Sequence, residues 1–274
     1  MTETETATRR RSAEEIAGTA PAWRSRLTSN TAARSTFYVA AFLAWLLLAA
    51  LFERIPGPAS VVDRLIEEFR RGEVFGNFAD TFYRFSIGVA LSVVVGILVG
   101  VLIGLSPMAR AFLESPVMVG LSIPAIMWAF LTVMWFGFGH TSPIVTTFLT
   151  AVPFVILNVA QGVQGVSRDL RDMSSSYGVP LARRVRELVL PAVSGYVLAG
   201  VRFAVIMGWN GVLLAEWFGG AGGAGYRARY WYDANQFAGF AAWVVLFVGV
   251  IIVLDQLVFE KASRRAFRWR DQTH

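Results

Sequence analysis

The sequence has no cysteine, one lysine and two histidines in 274 residues. Without cysteine there is no disulfide, no zinc–thiolate site and no cysteine nucleophile. The histidines, His140 and His274, stand far apart, and neither has a nearby partner along the chain. The single lysine, Lys261, sits in K-A-S with no glycine-rich loop before it. The G-x-x-x-x-G-K-[ST] phosphate cradle is therefore missing, and no nucleotide-hydrolysing site is recognisable. Charge is scarce as well: 16% of residues are charged, where a soluble domain carries about one-quarter. Apolar residues make up 55% of the chain, and the mean hydropathy is +0.53. That balance excludes disorder and argues against an ordinary cytosolic enzyme.

The apolar residues are clustered. A membrane helix needs about 20 of them, because the hydrocarbon core is about 30 Å thick and a helix rises about 1.5 Å per residue. Six stretches qualify. Thr36–Phe52, Phe85–Leu105, Val117–Phe136 and Pro143–Ala160 carry no charge, Gly195–Ala215 carries only Arg202, and Ala238–Val258 only Asp255. Both charges lie near span ends, within reach of the interface. The expected fold is an all-α membrane protein with six transmembrane helices. Residues 1–35 read as a disordered cytoplasmic tail, 36–258 as the six-helix domain and 259–274 as a basic cytoplasmic tail. With both termini cytoplasmic, the inside segments hold 17 basic residues and the outside segments 7. This asymmetry supports that orientation. The net charge of +6 reads as a topology signal plus contact with the lipid bilayer's anionic headgroups. No aromatic–basic stacking pattern suggests a nucleic acid.

Several segments leave two readings open. Pro58 followed by V-V-D-R-L-I-E-E-F-R-R predicts an amphipathic helix with Val62, Leu65, Ile66 and Phe69 on one face, ended by Gly72 and Gly76. It lies on the outer membrane surface or packs on the helices. Gly88, Ser92, Gly96, Gly100 and Gly104 form a small-residue stripe. Such a stripe admits a close helix neighbour, from this chain or a second copy. Pro116, Pro124, Pro143 and Pro153 mark kinks beside a pathway or static bends. Asn158, Asn210 and Glu216 are polar residues in or beside spans, where polarity is costly. Asn210 is expected to face the helix interior, as a helix–helix hydrogen bond or as part of a solute path. The run G-G-A-G-G-A-G from Gly219 formally holds G-x-G-x-x-G, but it follows a membrane span and reads as a flexible loop.

Residues 161–194 are too polar to span. Asp169–Tyr177 suits a helix ended by Gly178. Pro180 suits the first turn of a second helix with Leu181, Val185 and Leu188 on one face, ended by Pro191. This helix–Gly–helix hairpin resembles the coupling motif of bacterial ABC-importer permeases, E-A-A-x3-G-x9-I-x-L-P. Asp172-Met173-Ser174 stands in the E-A-A place, followed by Gly178, Leu188 and Leu190-Pro191. Met173 and Ser174 depart from the family's alanines. Further blocks resemble the nitrate/sulfonate/taurine-type permeases. They are P-A-I-M-W-A-F-L-T-V-M-W-F-G-F-G from Pro124, P-x-x-x-x-N-x-x-x-G from Pro153, and W-x-G-x-x-x-A-E from Trp209. The resemblance covers roughly residues 77–260.

What the resemblance implies is a type I ABC-importer permease. Two permease copies, as a homodimer, would form the pathway for a small solute such as nitrate, a sulfonate or taurine. An extracytoplasmic solute-binding protein would deliver the solute. A separate cytoplasmic ATPase dimer would bind ATP and Mg, leaving no cofactor, metal or catalytic residue in this chain. By the same carry-over, Asp172, Gly178, Arg183, Arg184, Leu188 and Pro191 belong to the coupling element. Met127, Trp128, Asn158, Trp209, Asn210 and Glu216 are pathway or gate candidates, and Met127 and Trp128 equally suit ordinary helix packing. The expected location is the bacterial inner membrane. The competing classes are an ATP-independent channel or secondary transporter, a membrane-embedded enzyme and a scaffold. The coupling-like hairpin counts against all three.

Overall fold

A computed structural model describes residues 30–167, 173–174, 176–184, 186–187 and 190–256. The C-terminal tail, most of the N-terminal tail and the expected coupling positions Asp172 and Leu188 lie outside the described residues. Every regular element among the described residues is a helix. Internal contacts separate two units, Met1–Ser60 and Val61–His274.

The first unit holds α1 (Asn30–Leu51), whose apolar side chains Phe37, Val39, Leu43 and Leu47 are exposed. Trp45 Nε1 donates to the Pro56 carbonyl at 3.1 Å, tying the helix to the turn after it. Pro58 then opens α2 (Pro58–Arg70), as its fixed φ and missing N–H allow in a first turn.

The second unit contains α3 (Glu73–Leu105), α4 (Pro107–Ser122), α5 (Ala125–Phe136), α6 (Thr141–Gln164), the short α7 (Leu181–Arg184), α8 (Leu190–Gly219), α9 (Ala224–Asp233) and α10 (Phe237–Leu254). Its centre is α6, which packs extensively against both α3 and α8. The small-residue stripe explains the first contact. A Cβ on Gly88 would stand 2.5 Å from Thr147 Cβ, one on Gly96 2.5 Å from Val155 Cβ, and one on Gly100 2.7 Å from Val159 Cβ. The stripe is thus used within one chain. Ser92 Oγ donates to the Gly88 carbonyl at 2.8 Å and reaches the Phe148 carbonyl of α6 at 3.2 Å. From the other side, Gly200 of α8 brings its backbone against Val155 and Asn158. Val155, Val159 and Val163 are fully buried between the two neighbours. Where lipid surrounds the helices, such close van der Waals packing replaces the hydrophobic drive as the source of association.

Four described helices are long and apolar enough to cross a membrane: Glu73–Leu105, Thr141–Gln164, Ala192–Gly219 and Phe237–Leu254. A fifth crossing is counted if Pro107–Ser122 and Ala125–Phe136 are taken together. The expected single span Val117–Phe136 is instead two helices bent by 99°. Pro124 causes the break. It pushes Ile123 out of the helical region, to φ −79° and ψ 119°. The apolar part of α1, Ser35–Leu51, is shorter than the four spans.

Other boundaries differ from expectation. Gly72, at φ 76°, caps α3, whereas Gly76 lies inside it. Pro191 does not end a helix but sits in the first turn of α8, where a proline costs no hydrogen bond. Arg202 and Asp255 pair with each other, Nε to Oδ1 and Nη2 to Oδ2, both at 2.8 Å, joining α8 to the end of α10.

Substituting Gly96 by alanine should destabilise the protein by about 1–3 kcal/mol through overpacking. Adding Val155→Gly removes the opposing Cβ. In detergent thermal unfolding, the double variant should lose much less than the sum of the two single losses.

Candidate functional site

Three constellations come from the fold: a cavity at the broken helix, a buried ionic cluster and the hairpin around Gly178.

The cavity has a volume of about 470 Å³ and lies where α4 and α5 meet α6 and α8. Its wall includes Pro124, Trp128, Thr150, Phe154, Met207 and Asn210. The break exists because Pro124 cannot continue the helix, and Trp128 braces it by donating Nε1 to the Gly120 carbonyl at 3.3 Å. Asn210 was expected to face the interior. It is exposed in the single chain, with Nδ2 donating to its own helix at the Ile206 carbonyl, 2.9 Å away. Met127 is also exposed, at 51%. Asn158 is half-buried and donates Nδ2 to the Phe154 carbonyl at 2.8 Å. It does not line the cavity but holds the turn that presents Phe154.

Trp209 and Glu216 sit elsewhere. Trp209 is buried among Phe78, Phe82 and Phe85 of α3, its ring parallel to Phe78 and edge-on to Phe85. Glu216 is fully buried and pairs with Arg84, Nη1 to Oε1, at 2.6 Å. Thr81 Oγ1 lies 2.9 and 3.0 Å from the two carboxylate oxygens, and the Gly225 N–H donates to Oε2 at 3.0 Å. Arg84 also donates Nη1 to the Gly222 carbonyl at 2.6 Å and Nε to His140 Nδ1 at 3.1 Å. His140 therefore has a partner that chain distance concealed, 56 residues away. The glycine run is pinned rather than flexible. Asn77 Oδ1 accepts from the Gly223 N–H at 3.1 Å, and Thr81 Oγ1 accepts from the Ala224 N–H at 2.8 Å. Gly223 has φ 106°, and a Cβ there would meet Arg84 Nη1 at 2.6 Å. Sequence reading missed Arg84, Thr81 and Asn77. The available signal was their spacing on one helical face, just before an uncharged span.

A second buried carboxylate sits outside the spans. Glu68 of α2 accepts from Arg227 of α9 through Nε at 3.0 Å and Nη2 at 3.1 Å, and from Trp243 Nε1 at 2.9 Å. Burial alone would raise its carboxyl. The Arg227 and Trp243 hydrogen bonds and the Arg227 charge outweigh burial and hold it below the usual carboxylate value.

In the hairpin, Gly178 has φ 64° and ends the preceding turn, with the Val179 N–H donating to the Ser174 carbonyl at 3.1 Å. Arg183 is exposed and pairs with Glu187 at 2.9 Å. Arg184 is half-buried, and its Nη2 donates to the Val179 carbonyl at 3.3 Å. Pro191 belongs to α8, as described. Among the described residues no group of acidic, histidine or cysteine side chains is arranged to hold a metal.

Removing one partner of the Arg84–Glu216 pair, as Arg84→Met or Glu216→Met, should cost about 3–5 kcal/mol, because a buried charge is left uncompensated. The double variant should unfold at a higher temperature than either single variant. Glu68 gives a pH test. Its depressed value means that its contribution is complete above the ordinary carboxylate range and is lost as pH falls through the lower folded value. The stability gap between the wild type and Glu68→Gln should therefore be widest at neutral pH and close on acidification below about pH 4.

The family described as "Binding-protein-dependent transport system inner membrane component" matches residues 92–265. The putative aliphatic sulfonates transport permease protein SsuC of Bacillus subtilis is 28% identical over 221 residues, covering 79% of this chain and 78% of its own length. SsuC of Escherichia coli is 30% identical over 183 residues, covering 67% and 68%. The nitrate import permease protein NrtB of Synechococcus elongatus is 28% identical over 234 residues, covering 79% and 84%. Among solved structures, a chain of the inward-facing MetNI methionine ABC transporter superposes with a TM-score of 0.64 at 20% identity. The match covers 73% of this chain and 98% of that one, which shows a shared type I importer permease fold. The chain belongs to the binding-protein-dependent transport system inner membrane component family and is a multi-pass inner-membrane permease of an ABC importer.

Proposed function

We propose that two copies of this chain enclose one translocation pathway for a small anion, such as nitrate, a sulfonate or taurine. These are the solute classes named for the relatives SsuC, NrtB and TauC, the last a taurine transport system permease protein of Escherichia coli. An extracytoplasmic solute-binding protein delivers the solute. A cytoplasmic ABC ATPase dimer holds ATP and Mg, and this chain performs no chemistry of its own. Each copy crosses the membrane six times, with α1 and the bent α4–α5 pair completing the four long spans. Both termini are cytoplasmic, in line with the distribution of basic residues.

Asn210 carries this reading. Its amide is exposed at mid-span in one chain, beside an apolar cavity at a broken helix. An amide facing hydrocarbon is costly, so that face belongs to protein or to a water-filled path. A second copy across it provides both. Met127, Trp128 and Asn210 then form the wall and gate. Asn158 positions Phe154, while Trp209 and Glu216 hold the wall from behind.

The hairpin meets the ATPase. Gly178 supplies a left-handed turn, Arg183 and Arg184 face the partner, and Asp172, Leu188 and Pro191 complete the element by resemblance to the family motif. A proline holds φ near −65°, opposite to the 64° at Gly178. In proteoliposomes, Gly178→Pro should leave basal ATP hydrolysis in place and abolish solute uptake. Unchanged uptake would remove the coupling role. Mild-detergent purification of the tagged chain should bring down a Walker-A ATPase in stoichiometric amount. An ATPase-free oligomer that still conducts solute would favour an ATP-independent channel or secondary transporter.

A further inference from the structure

The amphipathic helix α2 has three faces. Val61 and Glu68 are buried, at 3% and 0% exposure. About a third of a turn away, Val62, Ile66 and Phe69 are exposed at 51%, 44% and 41%. The next face is polar and carries Asp63, Glu67 and Arg70. The helix therefore buries a carboxylate and turns its apolar row outward, whereas Leu65 of the expected apolar face is half-buried. The Glu68–Arg227–Trp243 bonds fix this rotation about the helix axis.

The depth of α2 follows from α10. Phe237–Leu254 has 18 residues and is about 27 Å long. A core of about 30 Å takes about that length, so the Phe237 end belongs near the membrane surface. Arg64 of α2 donates to Gln236 at 2.6 Å, just ahead of that end. Glu68 accepts from Trp243, about two turns further along α10. The apolar row thus lies beside the first turns of α10, at one end of that span.

It is also continuous with an exposed apolar surface of α3. The Phe69 ring meets Phe75 edge-on at 5.8 Å. Phe75, 71% exposed, begins an exposed row along α3 that continues through Tyr83, Leu91, Val94 and Leu98. We propose that α2 is a membrane-surface helix, with Val62, Ile66 and Phe69 immersed in the lipid at the headgroup–acyl boundary and the Asp63–Glu67 face in water. A buried ion pair sets which face is immersed. The geometry of packed, apolar and polar faces is what an interfacial helix requires, since each environment meets its own side.

The chain has no cysteine, so single cysteines report cleanly. Val62, Ile66, Phe69, Asp63 and Glu67 are each replaced by cysteine in the full chain, labelled with an environment-sensitive dye and reconstituted into bilayers. A nitroxide near the top of the lipid acyl chain should quench positions 62, 66 and 69 about twofold, with little effect at 63 and 67, while aqueous iodide shows the opposite pattern. Iodide quenching at all five positions would overturn the proposal. So would protection of 62, 66 and 69 from both quenchers, which assigns the row to protein contact. Cysteine cross-linking between copies would then identify a second chain as that contact. These readouts do not depend on the ATPase or the solute, so failure here leaves the transport reading standing, and failure of transport leaves this one.

Discussion

The closeness of α3 to α6 is the constraint on which the rest of the second unit depends. The glycines at 88, 96, 100 and 104 allow α3 to lie so near that side chains could not fit between the backbones. Val155, Val159 and Val163 fill the seam instead and are fully buried. Gly200, Gly208 and Gly211 of α8 likewise bring that helix close to α6. The central helix is therefore held along its length by two neighbours. The remaining helices are arranged around that slab. Lipid supplies little drive for helices to associate, so contact density has to come from small residues placed every fourth position.

Charged groups near the ends of the slab hold the connections. Arg84 and Glu216 join α3 to α8, and the same pair fastens the glycine run and the turn at His140. Glu68 and Arg227 join α2 to α9, with Trp243 of α10 as a third partner. Arg202 and Asp255 join α8 to α10. The first two are buried, and a buried ion pair contributes little net stability but is costly to break, so these two specify an arrangement more than they strengthen it. The cavity has no pair of this kind among its lining residues. Its boundary is a proline break, an indole braced on a carbonyl and an exposed amide. The tightly specified end and the loosely specified cavity share α8, which carries both Glu216 and Asn210. Movement of that helix would be felt at both.

Much of the fold was legible in the sequence because bilayer thickness converts directly into length of apolar run. Phe85–Leu105, Pro143–Ala160 and Gly195–Ala215 all lie inside helices of the structure. The Gly88–Gly104 stripe correctly marked a packing face, though not whose helix would fill it. The turn at Gly178 was legible, since glycine adopts φ 64° with the least strain. Other readings failed for definite reasons. Val117–Phe136 looked like one span because hydropathy ignores the restriction that Pro124 places on Ile123. The glycine run looked flexible because its partners, Asn77 and Thr81, come from a helix about 140 residues earlier.

The sequence by itself determined the membrane class, the approximate spans, the close-packing stripe and the resemblance to importer permeases. Each follows from composition or local spacing, which survive without coordinates. Only the tertiary structure decided which polar residues are buried and which are open. Glu216, read as lying at an outer helix end, is sealed against Arg84, while Asn210, expected inside, is exposed beside the cavity. The reason is that half a helical turn, about two residues, is enough to turn a side chain to the opposite environment. The choice between them depends on which neighbour occupies each side, and that information is carried by contacts far apart along the chain.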